Sequence, residues 1–174
     1  ISPEKRVDRA IEIAKALNVP LKIAAKVDRA DVEYFRTQIE PMLDHPLVEF
    51  LGEIDESEKT AFLGGARALL FPIDWPEPFG LVMIEAMACG TPVVAYNRGS
   101  VPEIVDEGVT GFIVEDEISA IAAVDRLSRL DRAGVRRQFE KRFTARRMAL
   151  DYLDSYRSLL AAGEPRIKLV SSAE

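Results

Sequence analysis

The chain has 174 residues, a net charge of −6, 48% hydrophobic and 30% charged residues, the make-up of one ordinary globular domain with a core of normal size. The acidic balance argues against a nucleic-acid partner, which calls for a basic surface, but leaves room for a small anion held by a few local donors. One cysteine (Cys89) and one histidine (His45) exclude a disulfide framework, a cysteine-cluster zinc site and a His-pair metal site.

In chain order, Ser2-Pro3-Glu4-Lys5 reads as a helix start with Ser2 as cap and Pro3 in the first turn. Val7, Ile11, Ala14 and Leu17 continue at helical spacing until Asn18 and Pro20 stop the run. Leu21–Lys26 is a short apolar run and a candidate buried strand. A helix over Asp31–Leu43, a strand over Leu47–Leu51 and a helix over Glu56–Ala66, capped by Asp55 or Ser57, come next. Ala68–Pro72 is a strand, Gly80–Cys89 a helix ended by Gly90, and Pro92–Tyr96 a strand. Val101–Asp106 is a short helix, Gly111–Val114 a last strand, and the rest is helical to about Ala162, with a loose tail over Ile167–Glu174.

This alternation predicts an α/β fold with a parallel sheet covered by helices on both faces. Ligands of such sheets sit at the carboxyl ends of strands, beside helix N-termini. Three common occupants of the layout are unsupported: there is no G-x-G-x-x-G after a strand, no Walker A sequence and no G-x-S-x-G. Residues 126–147 hold nine basic and two acidic side chains, a net +7, which fits either solvated helix faces or a docking surface for another domain or an anionic membrane. No apolar run approaches the ~18–20 residues of a membrane span and no signal peptide is visible, so a cytoplasmic location is expected. The chain begins at Ile1 without a methionine and is expected to be a piece of something longer.

The informative stretch runs from Phe71 to Ala95. A buried strand ends at Phe71–Pro72, a loop with several prolines follows, and a helix opens near Phe79–Gly80. The first amides of that helix lack intrahelical partners and its macrodipole is positive there, which makes a phosphate seat needing no basic side chain. Gly80 lets a ligand approach the backbone closely. Glu77 stands just before the helix and Glu85 inside it. Carboxylates beside such a seat suit sugar hydroxyls, since a diol donates two charge-assisted hydrogen bonds to one carboxylate. Equally, Glu77 could cap the helix and Glu85, on an otherwise apolar helix, could be satisfied within the protein.

Glu77-Pro-Phe-Gly-Leu-Val-Met-Ile-Glu85 resembles the E-x7-E signature of the family 4 glycosyltransferases, and Ala86–Ala95, Val101–Val105 and Gly108–Val114 are similar to its continuation. The resemblance is close over about 50 residues and weaker from Ile1 to about Leu160. It implies one Rossmann-like half of a GT-B glycosyltransferase, the C-terminal nucleotide-sugar-binding domain over 1–162 with a tail over 163–174. It further implies a retaining transfer from a nucleoside diphosphate sugar to an acceptor, with no cofactor and no metal. Glu77 would contact the donor sugar, with backbone of Phe79 and Gly80. The amides of Leu81 and Val82 would hold the diphosphate and Lys5 would neutralise the leaving phosphate. Glu85 would hold the ribose, with Ile54 and Lys59 near the base.

The sequence also departs from the family pattern. The arginine five residues before the lysine would fall before Ile1, and relatives often carry glycine where Arg6 stands. Lys26 either approaches the nucleotide or covers the end of the sheet. The implied partners are the nucleotide sugar, a missing N-terminal acceptor-binding domain and, through the basic stretch, a peripheral membrane surface. The fragment by itself is expected to be inactive. A non-catalytic sugar-nucleotide-binding module, a nucleotide-sugar epimerase and a phosphorylase remain as alternatives, since fold does not decide function.

Overall fold

The computed structural model describes residues 1–161; Ala162 and the expected tail over 163–174 lie outside the described residues. The chain forms two compact units, Ile1–Phe139 and the residues from Glu140 onward.

In the first unit, the chain enters through a single 3-10 turn, Pro3–Lys5, before helix α1 (Val7–Leu17). The continuous helix expected from Ser2 is therefore broken. Arg6 sits between the two pieces at φ 50°, a left-handed conformation that no helix continues through. Ser2 makes no capping bond; its hydroxyl donates to Glu4 instead, at 2.7 Å. Asn18, also left-handed, closes α1 with its amide on Ala14 and Lys15 carbonyls, as the sequence suggests.

Strand β1 (Leu21–Ala24) pairs in parallel with β2 (Val48–Gly52). It stops two residues short of the expected Lys26 because the register slips between Ile23 and Ala24, and Ala25 makes the last link, to the Gly52 carbonyl at 2.8 Å. The helix expected over Asp31–Leu43 is an uneven run: a 3-10 turn (Arg29–Asp31), α2 (Val32–Tyr34), a π-type turn (Phe35–Ile39) and α3 (Glu40–Leu43). Pro41 explains the widened turn, since it has no N–H to give to the preceding turn and its ring crowds the carbonyl four residues back. Helix α4 (Glu56–Gly65) is opened by a full capping box: Asp55 accepts from the Ser57 and Glu58 amides and Glu58 accepts from the Asp55 amide. The cap is thus Asp55, not Ser57.

The second ladder is three parallel strands in the order β3 (Leu69–Phe71), β4 (Val93–Tyr96), β5 (Gly111–Val114). Helix α5 (Leu81–Ala88) links β3 to β4 and packs on both; α6 (Val101–Ile104) follows β4. Helix α7 (Glu117–Arg126) packs against β4, β5 and α1. Every residue of β4 is buried. Val94 and Tyr96 join Ile13, Phe112, Val114, Ala120, Ala123, Val124 and Leu127 in one cluster, while Met83, Ala86 and Met87 of α5 are fully buried on the same helix that packs against β3 and β4. At about 1.5–3 kcal/mol for each large apolar side chain withdrawn from water, this double coverage dominates the stability of the ladder.

Part of the basic stretch is consumed by the fold. Arg132 donates to the Ala66 and Gly64 carbonyls at the end of α4 and to Thr91, and Arg136 donates to the Ala88 carbonyl at the end of α5. Arg126 lies over the Phe112 ring at 4.2 Å and pairs with Glu107, and Arg137 pairs with Asp131. Arg132 and Arg136 thereby sit at helix C-termini, where the macrodipole is negative. Helix α8 (Arg132–Arg142) crosses the boundary between the units, and α9 (Ala145–Ala161) makes up most of what is described of the second. Among the described residues no helix is long and apolar enough to cross a membrane.

Among the described residues the buried Tyr96 hydroxyl has no hydrogen-bond partner, and its burial pushes its pKa up to about 12. A buried, unpaired hydroxyl carries a desolvation cost of about 1–3 kcal/mol. Tyr96→Phe, which keeps the ring beneath the Arg9 guanidinium, should therefore hold or raise the melting temperature; a clear drop in thermal unfolding would show that the hydroxyl has a stabilising partner.

Candidate functional site

Two lysine–carboxylate pairs flank the N-terminus of α5. That terminus is set by Gly80, which takes φ 78° as the N-cap residue. A Cβ there would fall 2.4 Å from the Met83 side chain, so both conformation and space demand glycine. Gly80 has no side chain with which to cap α5, and the Glu77 carboxylate takes the Gly80 amide. Leu81 is 64% exposed, so the first turn opens to solvent at the carboxyl end of β3, where an anion would meet backbone amides.

The first pair joins Lys5 to Glu77. Lys5 Nζ lies 2.9 Å from Glu77 Oε2, and the same oxygen accepts from Trp75 Nε1 at 3.0 Å. Lys5 also lies 5.7 Å from the centre of the Trp75 ring. The Glu77 side chain is only 14% exposed. Partial burial pushes its pKa up, but the bonds from Lys5, Trp75 and the Gly80 amide outweigh it and hold the carboxyl below its ordinary 4.5. The loop after β4 fixes the backbone around it. Ser100 donates its amide to the Glu77 carbonyl at 2.9 Å and its hydroxyl to the Phe79 carbonyl at 2.8 Å. Gly99, at φ 55°, packs so tightly that a Cβ would stand 2.4 Å from the Glu77 backbone. One lone pair of the Phe79 carbonyl is therefore already engaged, which narrows the expectation that both Phe79 and Gly80 present backbone to a ligand.

The second pair joins Lys59 of α4 to Glu85 of α5 at 3.1 Å, with Glu56 also 2.8 Å from Lys59. Together, Glu56 and Glu85 raise the lysine's pKa. Glu85, a carboxylate on an otherwise apolar helix, has the partner it requires. A cleft of about 240 Å³ opens beside this pair and is lined by Ile54, Lys59, Val82 and Glu85, with Ala24, Ala25, Phe62 and Leu63 as apolar walls. Lys26 and Glu53 stand at its rim, and Lys26 pairs with Asp28 at 3.0 Å. Lys26 thus borders the cleft, with its side chain on Asp28. His45 is a loop residue whose Nδ1 accepts from the Leu47 amide at 3.3 Å.

The structure thus sorts the sequence-predicted residues into two sets that meet at α5. Lys5, Glu77, Phe79, Gly80 and Leu81 lie at its mouth, and Val82, Glu85, Ile54 and Lys59 lie along the cleft. A larger groove of about 480 Å³, lined by Glu4, Arg6, Asp8, Tyr34, Gln38 and Asp74 among others, was not foreseen; Arg6 is engaged by Asp8 at 2.7 Å and by Asp74 at 3.2 Å, and Glu4 accepts from Ser2. Asp74, Arg98, Gly99 and Ser100 also escaped the sequence reading. The glycine in Asn97-Arg-Gly-Ser100 is the one signal that marks a tight approach.

The arrangement can seat an anion on helix amides beside a cation, with one carboxylate on either side. Comparison with known proteins bears on what it belongs to. The sequence profile of the family described as "Glycosyl transferases group 1" matches residues 1–144. A phosphatidyl-myo-inositol mannosyltransferase of Mycobacterium leprae is 37% identical over 112 residues, which are 64% of this chain and 29% of that protein. A glycogen synthase of Mycobacterium tuberculosis is 33% identical over 136 residues, 71% of this chain and 32% of that protein. Among solved structures, AviGT4, a glycosyltransferase involved in avilamycin A biosynthesis, superposes with a TM-score of 0.76 at 27% identity, covering 94% of this chain and 49% of that one. Anabaena HepE in complex with UDP and glucose shares the fold at 22% identity, with a TM-score of 0.76 over 91% of this chain and 46% of that one. The chain therefore spans about a third or less of these curated relatives and just under half of these solved structures.

Acidification tests the first pair. A carboxyl whose pKa is lowered by folding contributes stability that is complete above its ordinary value and is lost as pH falls through the lowered one. The emission of Trp75, the chain's single tryptophan, should hold steady from neutrality through the ordinary carboxyl value of 4.5 and change only below it. Glu77→Gln should abolish that step; an unaltered step in the variant would assign it to another carboxyl. The profile match over residues 1–144 and the parallel ladders that place the signature at the mouth of α5 make this chain a member of the group 1 glycosyltransferase family, with the fold of a Rossmann-like half of a GT-B enzyme.

Proposed function

We propose that the chain is the donor-binding, C-terminal half of a retaining family 4 glycosyltransferase that moves a sugar from a nucleoside diphosphate sugar to an acceptor. The observation that carries this reading is the placement of Lys5–Glu77 and Lys59–Glu85 on the two sides of one solvent-open helix N-terminus. A nucleoside diphosphate sugar has the same order of parts: a base and a ribose diol, a diphosphate, and a second ring of hydroxyls. In this reading the apolar walls of the cleft and Ile54 take the base, and Glu85 takes the ribose diol with Lys59 beside it. The Leu81 and Val82 amides take the diphosphate, and Glu77 takes hydroxyls of the transferred sugar with backbone of Phe79 and Gly80. Lys5 stands where charge develops on the leaving phosphate, and a fixed cation there stabilises the transition state. Helix amides and Lys5 then do the work of a metal ion, and no cofactor is needed. The complexes of HepE with UDP and glucose support the same class of ligand.

Retention and family 4 membership rest on the E-x7-E resemblance of Glu77 to Glu85. The acceptor site, a companion N-terminal domain and any peripheral membrane contact belong to the complete protein. The domain of 1–162 by itself binds donor and turns over little.

Calorimetric titration of the chain with UDP, GDP and ADP tests the seat: at least one should bind at millimolar levels or tighter, and no binding by any of them overturns the reading. Glu85→Ala should weaken that binding about tenfold to a hundredfold, the loss expected for charge-assisted bonds to a diol. In the complete enzyme, Glu77→Ala should cut turnover severely, and an unaffected rate removes Glu77 from its assigned role.

A further inference from the structure

Asp74 is the residue on which three separate segments converge. Its amide donates to the Glu4 carbonyl at 2.8 Å, next to Lys5. Its carboxylate lies 3.2 Å from Arg6, 3.2 Å from Arg9 and 3.5 Å from Arg98. Burial works to raise its pKa, but Arg9, Arg98 and Arg6 hold the carboxyl below the ordinary range. Two of these arginines sit in the segments that shape the site. Arg6 is the left-handed residue immediately after Lys5. Arg98 immediately precedes Gly99 and Ser100, whose backbone and hydroxyl hold the Glu77 and Phe79 carbonyls. Asp74 itself precedes Trp75, which donates to Glu77. A left-handed, non-glycine residue is unfavourable because its Cβ crowds the following carbonyl oxygen, so the turn at Arg6 needs an outside constraint to persist. Its guanidinium has two, Asp8 and Asp74.

We propose that Asp74 is a positioning residue: by holding Arg6 and Arg98 together it brings the turn carrying Lys5 and the loop 97–100 to the distances at which Lys5 and Trp75 both reach Glu77. The consequence for ligand binding rests on the proposed donor role of that site, but the positioning itself does not. Without the carboxylate, Arg6, Arg9 and Arg98 keep only their separate partners Asp8, Glu117 and Glu115, nothing joins Arg6 to Arg98, and the Lys5 turn is left with the backbone bond from the Asp74 amide to the Glu4 carbonyl as its link to residue 74.

The test uses the chain's single indole N–H as a spectroscopic signature. In the wild type its NMR resonance should follow the ionisation of Glu77 on acid titration. Asp74→Asn should shift that resonance and remove its acid-range dependence, with Asp74→Glu restoring part of it. Arg98→Gln, at a partly exposed position outside the binding machinery, should reproduce a weaker form and serves if the Asp74 variants do not fold. An indole resonance and titration unchanged in Asp74→Asn or, where that variant does not fold, in Arg98→Gln, overturns the proposal whatever the chain binds. For the nucleoside diphosphate that the wild type binds, the same substitution should weaken affinity roughly tenfold to a hundredfold and leave affinity for the corresponding nucleoside unaltered. An equal loss of both also overturns it, since that is the mark of general destabilisation. A wild type that binds none of UDP, GDP or ADP removes the donor reading and leaves the indole result to judge Asp74.

Discussion

The burial of β4 on both faces is the constraint from which the rest of the molecule follows. A strand with no solvent side must have helices above and below it, and β4 has α5 packed on it from one connection and α7 from another. A parallel neighbour on either edge then forces each connection to cross from the carboxyl end of one strand to the amino end of the next. Helix α5 must therefore begin at the carboxyl end of β3, and its positive end is delivered to the same edge as the loops that follow β1, β2 and β4. The site is the sum of those loop ends, not a separate construction.

Much of this could be read along the chain because it rests on short-range rules. The strands of the second ladder are near-continuous apolar runs, Gly90 stops α5, and Asp55 with Glu58 opens α4 through a capping box whose spacing is visible in the sequence. Glu77 and Lys5 were each singled out, with separate roles, but that they pair was not legible, because 72 residues separate them. Lys59 and Glu85, 26 apart, were each singled out, and the structure adds that they meet.

The features that escaped are of a different kind. The π-type turn at Phe35–Ile39 is a local adjustment to Pro41 that hydrophobic periodicity does not report. Asp74 and Arg98 look like ordinary surface charges in sequence, and their meaning comes from segments brought together by three strand connections. Ser100 and Gly99 belong to the same class: their spacing to Glu77 and Phe79 is set by the tertiary fold, and only the glycine left a trace. Arg6 stood out as a departure from a position where relatives often carry glycine, and its positive φ supplies the reason for that preference.

Arg6 has one more consequence. The turn bearing Lys5 is maintained by partly exposed ion pairs against an unfavourable backbone, where a glycine would need no such support. Exposed ion pairs weaken as dissolved salt shortens the reach of their fields, whereas the backbone preference does not change. The order of this turn is thereby coupled to ionic strength: dilute electrolyte holds Lys5 in place, and concentrated electrolyte releases it while the apolar ladder behind it stays intact.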